Sequence, residues 1–236
     1  MKKIFNYLLV NCVIILGLAS CGNENDIQDG FPEAPNQTTE ISEIHTIYKG
    51  VDYFVKSEVI NDSVVFLGNE EFQSLYNNIL SKNENLSMYY NEDGSLEYFD
   101  SYEELAVAKN ILSVNDNTSP TLKTTGVMTK VTFWDDKNYK DRAFSFLAGL
   151  NSYESVTQFR DKPYYFNDKC SSLKLEYTSN SLGYKGVVRM YEHDNFRGKC
   201  LVFEVSYYSP KRDISNLNNH SFGDKMTSFI LDVQPL

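Results

Sequence analysis

Two short polar loops hold the side chains best suited to chemistry in this chain: Asn167-Asp168-Lys169-Cys170-Ser171-Ser172 and Gly223-Asp224-Lys225-Met226-Thr227-Ser228. Each presents a carboxylate, a hydroxyl three residues later, and backbone carbonyls at fixed spacing. That donor set suits a hard cation such as calcium, which takes oxygen and requires neither nitrogen nor sulfur. The same Asp and Ser side chains can instead close turns by hydrogen bonding to nearby backbone, a role that needs no metal. Other chemistries find less support. The chain has no CxxC, HExxH or closely spaced His pair, which argues against zinc. His45, His193 and His220 are scattered, and no GxSxG stands before a nucleophile turn. His193 lies in a polar turn and His220 just before a loop, so both are expected to face solvent. Asp135 and Asp136 are adjacent, where a strand would point them to opposite faces. The expectation is a protein that is not an enzyme.

The loops must be held by the elements around them, and those elements are duplicated. WDDKNYKDRAFSF from Trp134 aligns without a gap on YEHDNFRGKCLVF from Tyr191, and FNDKCSSLKL from Phe166 aligns on FGDKMTSFIL from Phe222. Val131 matches Val188, Phe133 matches Met190, Tyr139 matches Phe196, and Phe146 matches Phe203. Each copy opens with an alternating strand, passes a polar turn and returns as a second strand (Phe144 and Phe146; Leu201 and Phe203), which is hairpin patterning. A polar loop and a last alternating strand close each copy.

These residues resemble the βγ-crystallin Greek-key family, over roughly residues 128 to 236. One family signature is an aromatic followed five residues later by Phe or Tyr and two more by Gly; the second copy has it as Tyr191, Phe196 and Gly198. The first copy has Trp134 and Tyr139 but places Asp141 where the glycine would stand, so Asp141 must tolerate a positive φ or the turn must relax. The other signature is the polar loop, complete at Asn167 to Ser172 and lacking its first side chain at Gly223. The resemblance implies a mainly β chain ending in a two-Greek-key β-sandwich, with keys over about 128–178 and 186–236. It also implies two calcium sites, each drawing oxygens from both loops. Asp168 and Asp224 would supply carboxylates and Ser171 and Thr227 hydroxyls from the opposite loops. The carbonyls of Lys169 and Lys225 would complete each loop's share, with those of Asp135 and Glu192 from the opening hairpins. Because Gly223 lacks a bracing side chain, one site is expected to be weaker. The family is also similar to the scaffold of some secreted peptidase inhibitors. That makes a peptidase-, glycan- or protein-binding module the alternative, using Tyr153, Tyr164, Tyr165, Tyr207 and Tyr208 as exposed aromatics.

Residues 1 to 20, MKKIFNYLLVNCVIILGLAS, combine two lysines, an apolar run and Leu18-Ala19-Ser20 before Cys21. They resemble a bacterial lipoprotein signal, which implies cleavage before Cys21, its lipidation, and a cell-envelope location, at the outer membrane. Cleavage removes Lys2 and Lys3 and no acid, taking the formal net charge from −10 to −12. So acidic a chain is a poor partner for nucleic acid. Residues 21–44 are polar and acidic, broken by Pro32 and Pro35, and read as a disordered tether. Of the four cysteines, Cys12 leaves with the signal and Cys21 takes lipid. Cys170 and Cys200 remain, to pair or to stay as buried thiols.

Residues 45–112 read as a small α+β domain. Three β-rich runs are separated by Lys49-Gly50 and Asn61-Asp62. A helix follows with Phe72, Leu75, Tyr76, Ile79 and Leu80 on one face and Asn69 as cap. LSMYY and SLEYF flank Asn91-Glu92-Asp93-Gly94 as a hairpin, and Ser101-Tyr102-Glu103-Glu104 is a capping box opening a second short helix through Leu105, Ala108 and Ile111. Tyr89 and Tyr90, adjacent in a strand, point to opposite faces. Residues 113–127, rich in Asn, Ser and Thr, read as a linker. So short a domain buries a modest core and is expected to lean on its neighbour.

Overall fold

A computed structural model describes residues 41–60, 63–112, 126–150 and 152–236. The signal segment, Cys21, the tether up to residue 40 and the linker from 113 to 125 lie outside the described residues; residues 41–44, expected as tether, instead open the first strand and pair with Val55 to Glu58. The chain is mainly β, and its C-terminal part is built from two Greek keys. The first key comprises β6 (Val127–Asp136), β7 (Lys140–Gly149), β8 (Tyr153–Val156) and β9 (Ser172–Tyr177). The second comprises β10 (Tyr184–His193), β11 (Arg197–Ser206), β12 (Lys211–Ile214) and β13 (Ser228–Pro235). Each key gives its third strand to the other's sheet. One sheet is ordered β12-β9-β6-β7, while β8 pairs with β13 in the sheet that contains β11-β10-β13. The exchange buries the alternating inward residues of both copies against each other. Val131, Phe133, Leu173 and Leu175 of one sheet meet Val188, Met190, Leu201, Phe203, Phe229 and Leu231 of the other.

The folded hairpin in each copy explains both repeat signatures. Asn138, Tyr139 and Asp141 have φ of 59°, 60° and 61°, and Asn195, Phe196 and Gly198 have φ of 57°, 58° and 78°. Asp141 therefore adopts the glycine's conformation and does not relax the turn. Positive φ at an aromatic residue is unfavourable and must be held by its surroundings. The last loop serine does this: Ser172 Oγ accepts from Tyr139 N–H at 3.1 Å and donates to the Asp136 carbonyl at 2.7 Å, and Ser228 Oγ accepts from Phe196 N–H at 3.1 Å and donates to the His193 carbonyl at 2.6 Å. The opening aromatic covers the fold from the other side, Trp134 on Tyr139 and Tyr191 on Phe196. Loop and hairpin are thus one unit in each copy.

The N-terminal elements are β1 (Ile41–Tyr48), β2 (Val51–Ile60), β3 (Ser63–Leu67), α1 (Glu70–Asn78), β4 (Ser87–Tyr90), β5 (Leu96–Phe99) and α2 (Tyr102–Ala108). They form close to where the sequence places them, except that α1 ends at Asn78: Ile79 caps it and is 52% exposed, and Leu80 is buried from the 3₁₀ turn that follows. Asn69 caps α1 by accepting from Phe72 N–H, and Ser101 caps α2 by accepting from Glu104 N–H. Ile111 lies past the end of α2, its N–H bonded to the Ala106 carbonyl. Their placement is decided by the rest of the chain. β4 pairs in parallel with β11, and the result is one sheet ordered β3-β2-β1-β5-β4-β11-β10-β13-β8. The described residues fall within one compact unit, Thr38–Leu236.

Helix α2 and the residues after it lie on the outer face of the second key. There Tyr89, Leu105, Ile111, Val187, Tyr191, Cys200 and Val202 form a second buried cluster. Arg189 is buried on this face. Its guanidinium donates to both Asp232 carboxylate oxygens at 2.9 and 3.3 Å, to the Tyr102 hydroxyl at 2.6 Å and to the Leu112 carbonyl at 3.0 Å. Lys185 extends the polar seam to Glu204 and the Lys109 carbonyl, each at 3.0 Å. The sequence held a signal for this cover: VVRMY in β10 and KCLVF in β11 run almost continuously apolar where the first copy alternates as KVTFW and RAFSF. A strand buried on both faces loses its alternation.

Candidate functional site

The two polar loops meet around a local two-fold axis. Asp168 and Asp224 each sit at φ 52°, a conformation Asp tolerates better than most residues. Asp168 N–H bonds to the Met226 carbonyl of the opposite loop at 3.2 Å, and Asp224 N–H to the Cys170 carbonyl at 3.0 Å. The side chains cross in the same way. Ser171 Oγ donates to Asp224 Oδ1 at 2.5 Å, and Thr227 Oγ1 to Asp168 Oδ1 at 3.2 Å. Each loop is also tied to its own opening hairpin, Ser171 N–H to the Trp134 carbonyl and Thr227 N–H to the Tyr191 carbonyl. Asp135 is therefore the hairpin residue beside the Asp224–Ser171 pair, and Glu192 the one beside the Asp168–Thr227 pair.

The carboxylates of Asp135 and Glu192 already have partners. Lys169 lies 3.7 Å from Asp135 and Lys225 lies 3.6 Å from Glu192. Arg142 adds a second cation at Asp135, at 3.1 Å, while donating to the Tyr165 carbonyl at 2.8 Å. Its counterpart in the second copy, Lys199, reaches instead to the Ser81 carbonyl at 3.1 Å. The Asp168–Thr227 side opens into a cavity of about 580 Å³ lined by Glu192, His193, Asp194, Arg160 and Arg197. Partial burial raises the Asp168 carboxyl above its usual pKa, more than the Thr227 hydrogen bond lowers it.

This side also fits a hard cation in its leftover polar atoms. Asn167 Oδ1 and Asp194 Oδ1 are buried and have no hydrogen-bond donor among the described residues. Buried oxygens of this kind require an ion or a water. Among the described residues no three His, Cys, Asp or Glu side chains gather into a cluster. The loop arrangement accordingly offers a carboxylate, a hydroxyl and main-chain oxygens, the mixed set that calcium accepts.

The remaining candidates fall apart spatially. Cys170 and Cys200 are separate buried thiols. Cys170 packs in the inter-sheet core and Cys200 under α2. Burial raises both thiols, Cys200 to about 12. Neither is a nucleophile at neutral pH. Tyr165, Tyr207 and Tyr208 are exposed, whereas Tyr153 and Tyr164 contradict the expectation: both are half-buried, Tyr153 in β8 and Tyr164 edge-on against Phe144 and Phe159. Tyr89 and Tyr90 do point apart, Tyr89 into the cluster under α2 and Tyr90 onto Phe203. His193 faces solvent as expected.

His220 does not face solvent. Its ring is half-buried against Tyr90 and Phe203, its Nδ1 is covered and without a partner among the described residues, and burial holds its pKa down to about 4. Local polarity around residue 220 concealed this, because the covering residue Tyr90 comes from the N-terminal segment. An unfolded histidine titrates near 6.5, so as pH falls the unfolded chain takes the proton first. The contribution of His220 is complete above about pH 6.5 and is lost progressively toward pH 4. Urea unfolding at pH 7 and pH 4.5 should show the wild type losing on the order of 2 kcal/mol more than His220→Asn. Equal losses would show that the ring titrates freely.

No family model matches the chain, and no curated protein does. Solved structures are similar to it, among them the following three. One, described in terms of the evolution of the eye lens βγ-crystallin domain fold, is 18% identical and aligns over 49% of this chain and 94% of that one, with a TM-score of 0.33. A βγ-crystallin from an archaeon is 19% identical over 43% and 95%, with a TM-score of 0.30. A βγ-crystallin from Ciona intestinalis is 18% identical over 42% and 95%, with a TM-score of 0.27.

Proposed function

We propose that this chain is a non-enzymatic protein of the bacterial cell envelope, anchored at the outer membrane by lipid on Cys21, whose two polar loops bind up to two calcium ions. The observation that carries the calcium reading is the crossed pairing of the loops, Asp168 with Thr227 and Asp224 with Ser171. One site would use the Asp168 carboxylate, the Thr227 hydroxyl and the Glu192 carbonyl, and the other Asp224, Ser171 and the Asp135 carbonyl. The carbonyls of Lys169 and Lys225 would complete them. Lys169 and Lys225 occupy the Asp135 and Glu192 carboxylates, which leaves the hairpins' main-chain oxygens for the ion. Bound calcium supplies a charge that holds both keys together through oxygens from each. The chain's own contribution is to present those oxygens on loops already fixed by Ser172 and Ser228. On this reading the chain has a structural or binding role in the envelope and is stiffened where calcium is plentiful.

Calorimetry on the chain from residue 21 provides the test. With a dissociation constant of about 10⁻⁴ to 10⁻³ M, 10 mM calcium should stabilise by about 1.4 to 2.7 kcal/mol and raise Tm by about 3 to 10 °C. Asp168→Ala with Asp224→Ala should abolish the shift. An unchanged Tm in the wild type at this concentration would refute calcium binding. Membrane attachment is tested separately, by loss of the protein from the membrane fraction on Cys21→Ser.

A further inference from the structure

In the first loop the leading side chain braces its neighbour. Asn167 Nδ2 donates to Asp168 Oδ2 at 2.5 Å, holding a carboxylate whose residue sits at positive φ. The second loop begins with Gly223 and has no such side chain. Gly223 is not glycine for conformational reasons, since it is absent from the residues with positive φ. It is glycine for space. A Cβ there would overlap the side-chain oxygen of Asn218 and lie 2.6 Å from its Cγ and 3.0 Å from its backbone nitrogen. Asn218 is buried, 2% exposed, in the 3₁₀ turn Leu217–His220.

The reason it arrives there is a difference in loop length. In the first copy Phe166 N–H closes onto the Phe159 carbonyl, and in the second Phe222 N–H closes onto the Leu217 carbonyl. The second connection is two residues shorter. The residue after Leu217 is thereby turned under the loop, while Arg160, the corresponding residue in the first copy, reaches out to Asp194. Asn216 fixes the turn by accepting from Asn218 N–H at 3.0 Å.

From this we infer that Asn218 is the positioning residue of the second loop, its amide taking in space the place that the Asn167 side chain takes in sequence. The second loop is then as well braced as the first, and the Asp224 site is not handicapped by Gly223. As far as it concerns calcium, this inference rests on the function proposed above.

The experiment uses the chain from residue 21 with Asn218→Ala, Gly223→Asn and the double substitution. In calcium-free buffer, Asn218→Ala should speed amide exchange at Asp224 and Thr227 at least tenfold and leave Asp168 unchanged. Gly223→Asn alone should lower Tm, because its side chain collides with Asn218. The double variant should restore both readouts. In calorimetric titration Asn218→Ala should weaken one calcium site about tenfold, the scale of losing an outer-sphere support, and the double variant should recover it. Unchanged exchange in Asn218→Ala, or a double variant no better than either single one, overturns the assignment. Should Asn218→Ala fail to fold, Asn218→Ser, alone and with Gly223→Asn, decides by the same readouts. A wild type that takes up no calcium removes the calcium reading and leaves the exchange result to judge Asn218.

Discussion

Arg189→Ala should destabilise the protein by about 3 to 5 kcal/mol, the range found when one partner of a buried ion pair is removed. The effect is large because the guanidinium serves four acceptors at once, two of them the oxygens of a buried carboxylate. Burial opposes the charge on Arg189, but the adjoining Asp232 carboxylate outweighs it and the pKa is raised. Deleting the side chain leaves the Asp232 carboxylate, 7% exposed in the intact protein, with Gln234 as its remaining neutral donor at 2.8 Å. It also frees the Tyr102 hydroxyl and weakens the hold on Leu112, so α2 should loosen from the second key. Urea unfolding measures the loss, and amide exchange across residues 102–112 locates it. The double variant Arg189→Met with Asp232→Leu should recover most of the stability, since apolar residues of similar volume replace a buried pair at little cost. A single-variant loss below about 1 kcal/mol would show that the pair is screened by solvent.

Phe229→Ala should cost about 3 to 5 kcal/mol. Phe229 is wholly buried between the sheets, stacked on Phe159 at 5.6 Å and in contact with Phe133 at 5.1 Å and Phe146 at 4.6 Å. The neighbours come from β6, β7 and the loop after β8, all in the first key, whereas Phe229 belongs to the second. A cavity there cannot close without moving one sheet toward the other, which the crossed loops prevent. Phe229→Leu should cost less than half as much, because it keeps most of the volume. Thermal and urea unfolding should agree on this order. A loss below about 2 kcal/mol for the alanine variant would mean that the sheets can collapse into the gap.

Arg189 and Phe229 differ in how far their surroundings could be read from near neighbours. The duplication that aligns Trp134 with Tyr191 and Phe166 with Phe222 identified two copies of a hairpin followed by a polar loop, and the resemblance of those residues to βγ-crystallins implied the two keys and the folded hairpins. Hairpins, caps and polar loops are written in residues close in sequence: Asn69 caps three residues away, and Ser171 follows Asp168 by three. The crossed pairing of Asp168 with Thr227 was expected only because the loops resemble those of βγ-crystallins; nothing in the spacing of the two copies dictated it. Phe229 lies in that duplicated pattern and its burial was readable there.

The surroundings of Arg189 were not. Lys109 lies 76 residues from the Lys185 amine that its carbonyl receives, and Tyr102 lies 87 residues from Arg189. The lost alternation in β10 and β11 marks a covered face, but it does not say which residues cover it. The burial of His220 depends on Tyr90, and the fit of Gly223 depends on a connection two residues shorter than its counterpart. Read alone, the chain specified a duplicated hairpin-and-loop unit with oxygen-rich loops, which its family resemblance made a double Greek key. Only folding in three dimensions established that residues 41–112 extend one of its sheets and cover that sheet's outer face. They do so because β11 offered an open edge and β10 an apolar second face, and both had to be removed from water.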